Sequence, residues 1–434
     1  MKEKKSRIGL ALSGGGYRAA TYHIGTFKTL KKLGVLDKIN VISTNSGGSI
    51  AGACYSLNHK NFEQFENILI SGVQKSIIGR VLKSPRFFIP ALLLLAVIAF
   101  SIYLLFTNFA WLNIIVLPSL IFILGYGQFQ ILPISRIIEG IYDDVFFKNS
   151  SLNDLSDTFD TIINSTNLET GRIFYFSSWK MGDTKYEYRG ELESILFKSK
   201  TFPVSRAVMA SSCVPFAFTP VKIAKEFYKT SAHFNEVKPR LVDGGVYDNQ
   251  GIHKLTFHSS ASYCKNVIIS DAGTELPFKN TYRNMIPLLI RTSEVFMARI
   301  KNFQMMNSLY RVPTDKDSNV AYQSLGFDLE DSINEFMEML KDGYLSNDVI
   351  KGHKIPNDWL QNQKWDEIEE LVSNNININS LLKQGCNKEE LKIARSVGTN
   401  LVPLKLAQTK ALIKHAEVIT ELQIKLYLPH ILGC

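Results

Sequence analysis

The sequence predicts an α/β fold with a central, mostly parallel sheet, interrupted by a two-helix transmembrane hairpin and followed by a helical C-terminal region. Three observations point there. Residues 7–58 alternate short apolar runs with helical segments, the pattern of a parallel sheet. A strand-and-helix pattern resumes after about residue 155 and continues to about 275. Between these parts, residues 87–135 contain no Asp, Glu, Lys or Arg.

Residues 8–12 read as a short buried strand and residues 16–33 as the first helix, ended by Gly34. Residues 39–42 form the next strand, followed by a sharp turn and a small-residue helix from Gly48. Residues 61–78 read as a helix running towards the uncharged block, and 137–147 as one leading out. Residues 160–163 and 172–177 pair as strands. A helix over 204–212, a strand before Asp243 and a buried strand over 266–270 complete the sheet pattern. Beyond about residue 280, the stretches 284–309, 329–340 and 404–426 read as helices covering the sheet, and the Asn-rich 374–379 as a loop. The organisation expected is a catalytic domain in two parts, 1–86 and 136–280, around a hairpin at 87–135, with a helical region at 281–434.

Three turns carry residues capable of chemistry. The first is Ser13-Gly14-Gly15-Gly16-Tyr17-Arg18. Its glycines permit positive φ and close backbone approach, so their N–H groups can converge on an oxyanion. Losing one such donor costs about 3–4 kcal/mol of transition-state stabilisation. Arg18, at the helix start, suits a phosphate or carboxylate. The turn lacks the Gly-Lys-Ser/Thr ending of a P-loop and the glycine spacing of a dinucleotide fold. An oxyanion turn or a plain tight turn remains.

The second turn, Ser43-Thr44-Asn45-Ser46-Gly47-Gly48-Ser49, places Ser46 between a strand and a helix N-terminus, as a nucleophile elbow does. The common elbow has glycine where Thr44 stands. Ser49 is the rival, with Gly47 two residues before it but Ala51 two after. Ser46 follows the strand directly and has Gly48 at the crowded position, which favours it. The third turn is Asp243-Gly244-Gly245, after Leu241-Val242; its aspartate is a base or a turn residue. Asp271, in Ser270-Asp271-Ala272-Gly273, is a second acid at a strand end.

In this order the turns resemble the patatin-like phospholipases, which include the cytosolic phospholipase A2 catalytic domain. Ala210-Ser211-Ser212-Cys213-Val214-Pro215-Phe216-Ala217-Phe218-Thr219-Pro220 looks like the family block that ends a helix in a Ser-x-x-x-Pro-x-x-Phe-x-Pro run. Thr166-Asn167-Leu168-Glu169-Thr170-Gly171 looks like its central hairpin. The resemblance covers about residues 7–58 and 155–275. It implies a three-layer domain and a Ser-Asp dyad, with Ser46 as nucleophile and Asp243 as base. It also implies an oxyanion hole of Gly14, Gly15 and Gly16, Arg18 facing the lipid head group, and no metal or organic cofactor. The eight histidines lie in no triad-like setting. His253 and His258, after the Asp243 turn, are the positions for any third member, and His23 reads as a packed helix residue.

The chain's 434 residues allow a large core. As helices, residues 87–107 and 109–127 would span about 31 and about 28 Å, close to the hydrocarbon thickness. Lys75, Arg80, Lys83 and Arg86 precede the block and Arg136 follows it, so both ends face the cytoplasm by the positive-inside tendency. A hairpin returns the chain to its starting side, where Ser46 and Asp243 can meet. The alternatives are a buried core hairpin and a monotopic one. The net charge of +9 and the basic start at Lys2, Lys4, Lys5 and Arg7 suit anionic lipid. Nucleic-acid binding has no recognisable motif to support it, and the charge is dispersed. The apolar run at 8–12 is too short for a signal peptide. Five scattered cysteines suggest free thiols in a reducing compartment, and Cys434 matches no prenylation box.

The function expected is a membrane-anchored lipid acyl hydrolase of the phospholipase A type, acting on membrane phospholipid or another glycerolipid through an acyl-enzyme. The same dyad would serve an acyltransferase, because only the acceptor differs. A membrane receptor or scaffold on a degenerate lipase fold is the non-enzymatic alternative; the intact Ser46, Asp243 and glycine turn argue against it.

Overall fold

In the computed structural model, residues 7–276, 278, 283–309 and 318–432 are described. Lys2, Lys4, Lys5 and Cys434 lie outside them. Among the described residues nine strands form one sheet. They are β1 (Ile8–Leu12), β2 (Ile39–Asn45), β3 (Asp160–Asn167), β4 (Arg172–Phe176), β5 (Met181–Asp183), β6 (Val221–Lys222), β7 (Arg240–Asp243), β8 (Asn266–Asp271) and β9 (Asn319–Ser324). The order is β5-β4-β3-β2-β1-β8-β9, and the run from β3 to β9 is parallel throughout. β1 and β8 are buried at every residue, as central parallel strands are.

One detail of register positions the site. β2 ends at Asn45, which pairs with Asn164 of β3. The next residue of β3, Ser165, pairs with Asp243, the last residue of the antiparallel β7. The opposite edge of β3 is taken by β4 over this stretch. β2 and β7 therefore share one edge of β3 and meet end to end, each finishing in a turn.

Helices α1 (Gly16–Lys32) and α2 (Gly47–Leu57) follow β1 and β2. The closing helix Leu406–Tyr427 lies along α1, where Thr29 donates to the Glu417 carbonyl at 2.8 Å and Lys32 pairs with Glu421 at 2.8 Å. The helix expected over 61–78 is two: α3 (Phe62–Val73) and α4 (Ile77–Lys83). Asn61 and Ser76 each accept a backbone N–H three residues on, so a second N-cap restarts the chain. The Asn-rich 374–379 is not a loop. Helices Trp365–Ile376 and Ile378–Gln384 flank Asn377, whose φ of 55° makes it a one-residue hinge, a conformation asparagine tolerates. The C-terminal region also supplies β9, which the sequence reading missed. Its polar residues hid the strand: buried Asn319 donates to Asn266 at 2.8 Å and buried Gln323 to Thr26 at 3.0 Å.

The uncharged block folds as α5 (Pro85–Leu104) and α6 (Asn113–Ile131), followed by α7 (Ile134–Tyr142). By length and composition α5 and the segment containing α6 are apolar enough to cross a membrane. They are not a buried core hairpin: Phe106 is 84% exposed, Tyr126 79% and Ile114 77%. A polar residue of each helix satisfies the other, Ser101 Oγ donating to Asn113 at 2.6 Å and Asn113 Nδ2 to the Ser101 carbonyl at 3.0 Å.

Candidate active site

Ser46 ends β2 and caps α2, with φ 48° and ψ −119°, a backbone state that few non-glycine residues hold. Asp243 sits at the facing end of β7. Both are buried, and the Ser46 hydroxyl lies near enough to the Asp243 carboxylate to favour its ionised form. The Gly245 N–H donates to Asp243 Oδ1 at 2.7 Å. Burial pushes the Asp243 carboxyl up from 3.8 to about 6, against the pull of the Gly245 N–H and the Ser46 hydroxyl. The pair is thus a hydroxyl at the positive end of a helix beside a carboxylate that still ionises below neutral pH.

Thr44, the departure from the common elbow, is accommodated by Gly52 one turn into α2. A Cβ on Gly52 would lie 2.5 Å from Thr44 Cγ2. The Thr44 hydroxyl is bonded to Ser49 Oγ at 2.9 Å and donates to the Ile162 carbonyl at 3.1 Å. Ser49, the rival nucleophile, is fully buried and also bonds Ser211 Oγ at 2.8 Å. It is a structural hydroxyl.

The glycine turn lies against the elbow. A Cβ on Gly47 would sit 2.2 Å from the Gly16 carbonyl oxygen, and one on Gly14 would sit 3.0 Å from Ser46 Cβ. Gly14, expected to be an oxyanion donor, gives its N–H to the Asn249 carbonyl at 2.9 Å. The N–H groups of Gly15 and Gly16 have no acceptor among the described residues. Arg18 is not displayed towards solvent. It is buried and its Nη1 donates to the Val397 carbonyl at 3.0 Å, because the chain at 397–400 folds over the first turn of α1. There the Asn400 carbonyl accepts the Tyr17 N–H at 2.9 Å.

Asp271 is occupied elsewhere. It is fully buried, pairs with Lys301 at 2.6 Å and accepts from Tyr322 at 2.6 Å. Burial alone would raise its carboxyl, but Lys301 and these donors hold it at about 2. A carboxylate so stabilised is a poor base. His23 is buried between Ser270 and the Ser13 carbonyl, and the His253 ring stacks on Phe257. Cys213 is packed, its thiol pushed up to about 12 by burial. Among the described residues no group of three His, Cys, Asp or Glu is arranged to hold a metal.

Sequence reasoning missed two backbone braces. The Asn45 side chain donates to the Asp248 carbonyl, tying β2 to the turn after β7. The end of the helix Val204–Ser211 accepts from both sides of the dyad: Ser46 N–H to Ser211 Oγ at 2.9 Å, Gly244 N–H to Ser211 O at 3.0 Å and Asp243 N–H to Cys213 O at 2.8 Å. Only their small, polar character beside a proline-rich run signalled these residues.

A family profile described as patatin-like phospholipase matches residues 10–256, more than half of the chain. No curated protein sequence matches it. Among solved structures, human GIVD cytosolic phospholipase A2 is similar with a TM-score of 0.38 and 13% identity, over 62% of this chain and 43% of that one. VipD from Legionella pneumophila is similar with a TM-score of 0.33 and 10% identity, over 99% of this chain and 92% of that one. The chain spans less than half the length of the human enzyme.

Proposed function

The chain belongs to the patatin-like phospholipase family, and on that premise we propose that it is a lipid acyl hydrolase of the phospholipase A type, cleaving glycerolipid esters through an acyl-enzyme. The observation that carries the reading is the end-to-end meeting of β2 and β7, which brings the Ser46 hydroxyl near the Asp243 carboxylate. Asp243 takes the Ser46 proton as Ser46 Oγ attacks the ester carbonyl. Negative charge develops on the carbonyl oxygen, and the unpaired N–H groups of Gly15 and Gly16 stabilise it. The leaving alcohol carries the proton away from Asp243. Water then attacks the acyl-enzyme with Asp243 again as base, releasing a fatty acid. Arg18, whose Nη2 lies 3.8 Å from where a Gly15 Cβ would be, adds positive field to the glycine turn rather than an exposed head-group contact.

In this reading α5 and α6 enter the bilayer as a hairpin. Their exposed apolar faces, the self-satisfied Ser101–Asn113 pair and the cations at Arg80, Lys83, Arg86 and Arg136 support it. Both ends then lie on the side of the catalytic domain, the cytoplasmic one by charge.

The test is mass spectrometry of mixed phospholipid vesicles incubated with purified wild type and Ser46→Ala. Wild type is expected to release fatty acid and lysolipid, and Ser46→Ala neither. Equal release by Ser46→Ala would sink the mechanism. Acyl groups appearing on an added alcohol instead would mark a transacylase.

A further inference from the structure

We infer that Ser211 is the positioning residue of the dyad, one side chain and its own carbonyl holding the nucleophile elbow and the base turn in a single frame. The inference rests on the acyl-hydrolase reading above.

Ser211 is the last residue of the helix Val204–Ser211 and is fully buried. A carbonyl in a last turn has no acceptor role inside its own helix. Here it accepts the N–H of Gly244, the residue after Asp243, at 3.0 Å. The hydroxyl works on the other partner. Ser46, at positive φ, turns its N–H towards this helix end, and Ser211 Oγ accepts it at 2.9 Å. A non-glycine residue in such a backbone state persists only where its surroundings hold it.

The direction of the hydroxyl protons follows from the end of the chain they form. Thr44 Oγ1 donates to the Ile162 carbonyl at 3.1 Å, so in its 2.9 Å contact with Ser49 Oγ it accepts. Ser49 has then given its proton to Thr44, and in its 2.8 Å contact with Ser211 Oγ it accepts in turn. Ser211 therefore donates to Ser49 and keeps its lone pairs for the Ser46 N–H. Each donation polarises the next oxygen and makes Ser211 Oγ a better acceptor. Thr44, which stands where an elbow glycine is common, is the anchor of this relay. The Ser46 amide is consumed by it and is not free to serve the oxyanion.

Removing the Ser211 oxygen leaves the buried Ser46 N–H without its acceptor and takes from Ser49 Oγ the donor it accepts from. The elbow relaxes, and the Ser46 hydroxyl moves off Asp243. A misplacement of about 1 Å at reacting groups costs on the order of 100-fold in rate. Ser211→Ala is therefore expected to lower kcat about 100-fold with KM within a few-fold of wild type. The midpoint of its kcat/KM–pH profile should move up, since Asp243 loses the nearby Ser46 hydroxyl that favours its ionised form. Ser211→Thr, which restores the oxygen, should recover most of kcat and the wild-type midpoint. Ser212→Ala removes a neighbouring buried hydroxyl that bonds only the Val208 carbonyl and Tyr142, and should leave kcat and midpoint unchanged.

The experiment is the rate of fatty-acid release from phosphatidylcholine vesicles across pH, with a fluorophosphonate labelling rate for Ser46, on wild type, Ser46→Ala and these variants. If Ser211→Ala does not fold, Ser211→Cys keeps the volume with a poor acceptor and reads the same two quantities. Wild-type kcat and midpoint in the variant that folds, with Ser46→Ala dead, overturn the positioning role alone. An equal loss in Ser212→Ala overturns it too. A Ser46→Ala protein as active as wild type overturns the hydrolase reading, and the role of Ser211 with it.

Discussion

Replacing Asp243 by Asn should give a protein that is inactive yet more stable at neutral pH. The carboxyl is buried, and burial lifts it from 3.8 to about 6. At about 1.36 kcal/mol per pK unit, the fold disfavours the ionised form by roughly 3 kcal/mol. Because the folded value lies above the unfolded one, this contribution to stability is intact below the unfolded value. It is lost as pH rises through the window from 3.8 to about 6. Above that window the wild type carries the whole cost. Asn is neutral and close in shape, and its Oδ1 can still accept the Gly245 N–H. The variant should therefore unfold at higher denaturant near pH 7.5, with a gap approaching about 3 kcal/mol that shrinks towards zero near about pH 4. Urea titrations in detergent at several pH values, followed by tryptophan fluorescence, measure it. The same ionisation governs catalysis: wild-type kcat/KM should climb with pH about a midpoint near 6 and then level, while the Asn variant loses about 100- to 10,000-fold. A gap that is absent at pH 7.5, or constant from pH 4 to 7.5, would refute the claim that Asp243 is held ionised against its burial.

Gly52→Ala should cost about 1–3 kcal/mol, because the new methyl meets Thr44 Cγ2, and Thr44→Ser in the same chain should recover most of it. Additive losses in the thermal unfolding of the double variant would show that the two do not touch. Removing residues 87–131 through a short linker should leave a folded protein that hydrolyses detergent-dispersed lipid but no longer sediments with vesicles. Ser135 must be kept, since its hydroxyl donates to the Thr219 carbonyl. Unchanged sedimentation would remove the hairpin from membrane attachment.

Much of the sheet was legible because its central strands are short apolar runs ending in glycine-rich turns. Ile8–Leu12 and Asn266–Asp271 stand out since both faces are covered. β9 was not legible, because a buried edge strand can carry Asn319 and Gln323 once partners on β8 and α1 satisfy them. The turns themselves singled out Ser46 and Asp243 as candidates, and the strand ends that carry them meet. What the turns do with their backbone amides was hidden. Three consecutive glycines look equivalent in sequence, yet Gly14 is consumed by Asn249 and Gly15 and Gly16 are not. Arg18 looks available at a helix start until the chain at 397–400, far away in sequence, folds over it. Contacts of that range leave no local pattern.

The insertion between Ser46 and Asp243 is compatible with their meeting because the two strands need only the edge of β3 in common. β2 arrives before the hairpin and β7 long after it, and neither strand depends on the connection for its register. The hairpin is nevertheless coupled to Asp243. Its root at Ser135 bonds the Thr219 carbonyl, as does the Cys213 thiol at 3.1 Å, and the Cys213 carbonyl receives the Asp243 N–H at 2.8 Å. A force on α7 is thus passed through one packed cysteine to the backbone of Asp243. Since Asp243 is held against its own burial, a small displacement there changes both its ionisation and its approach to Ser46. The segment from Ser211 to Thr219 therefore does two jobs at once, fixing the dyad internally and anchoring the apolar hairpin to it.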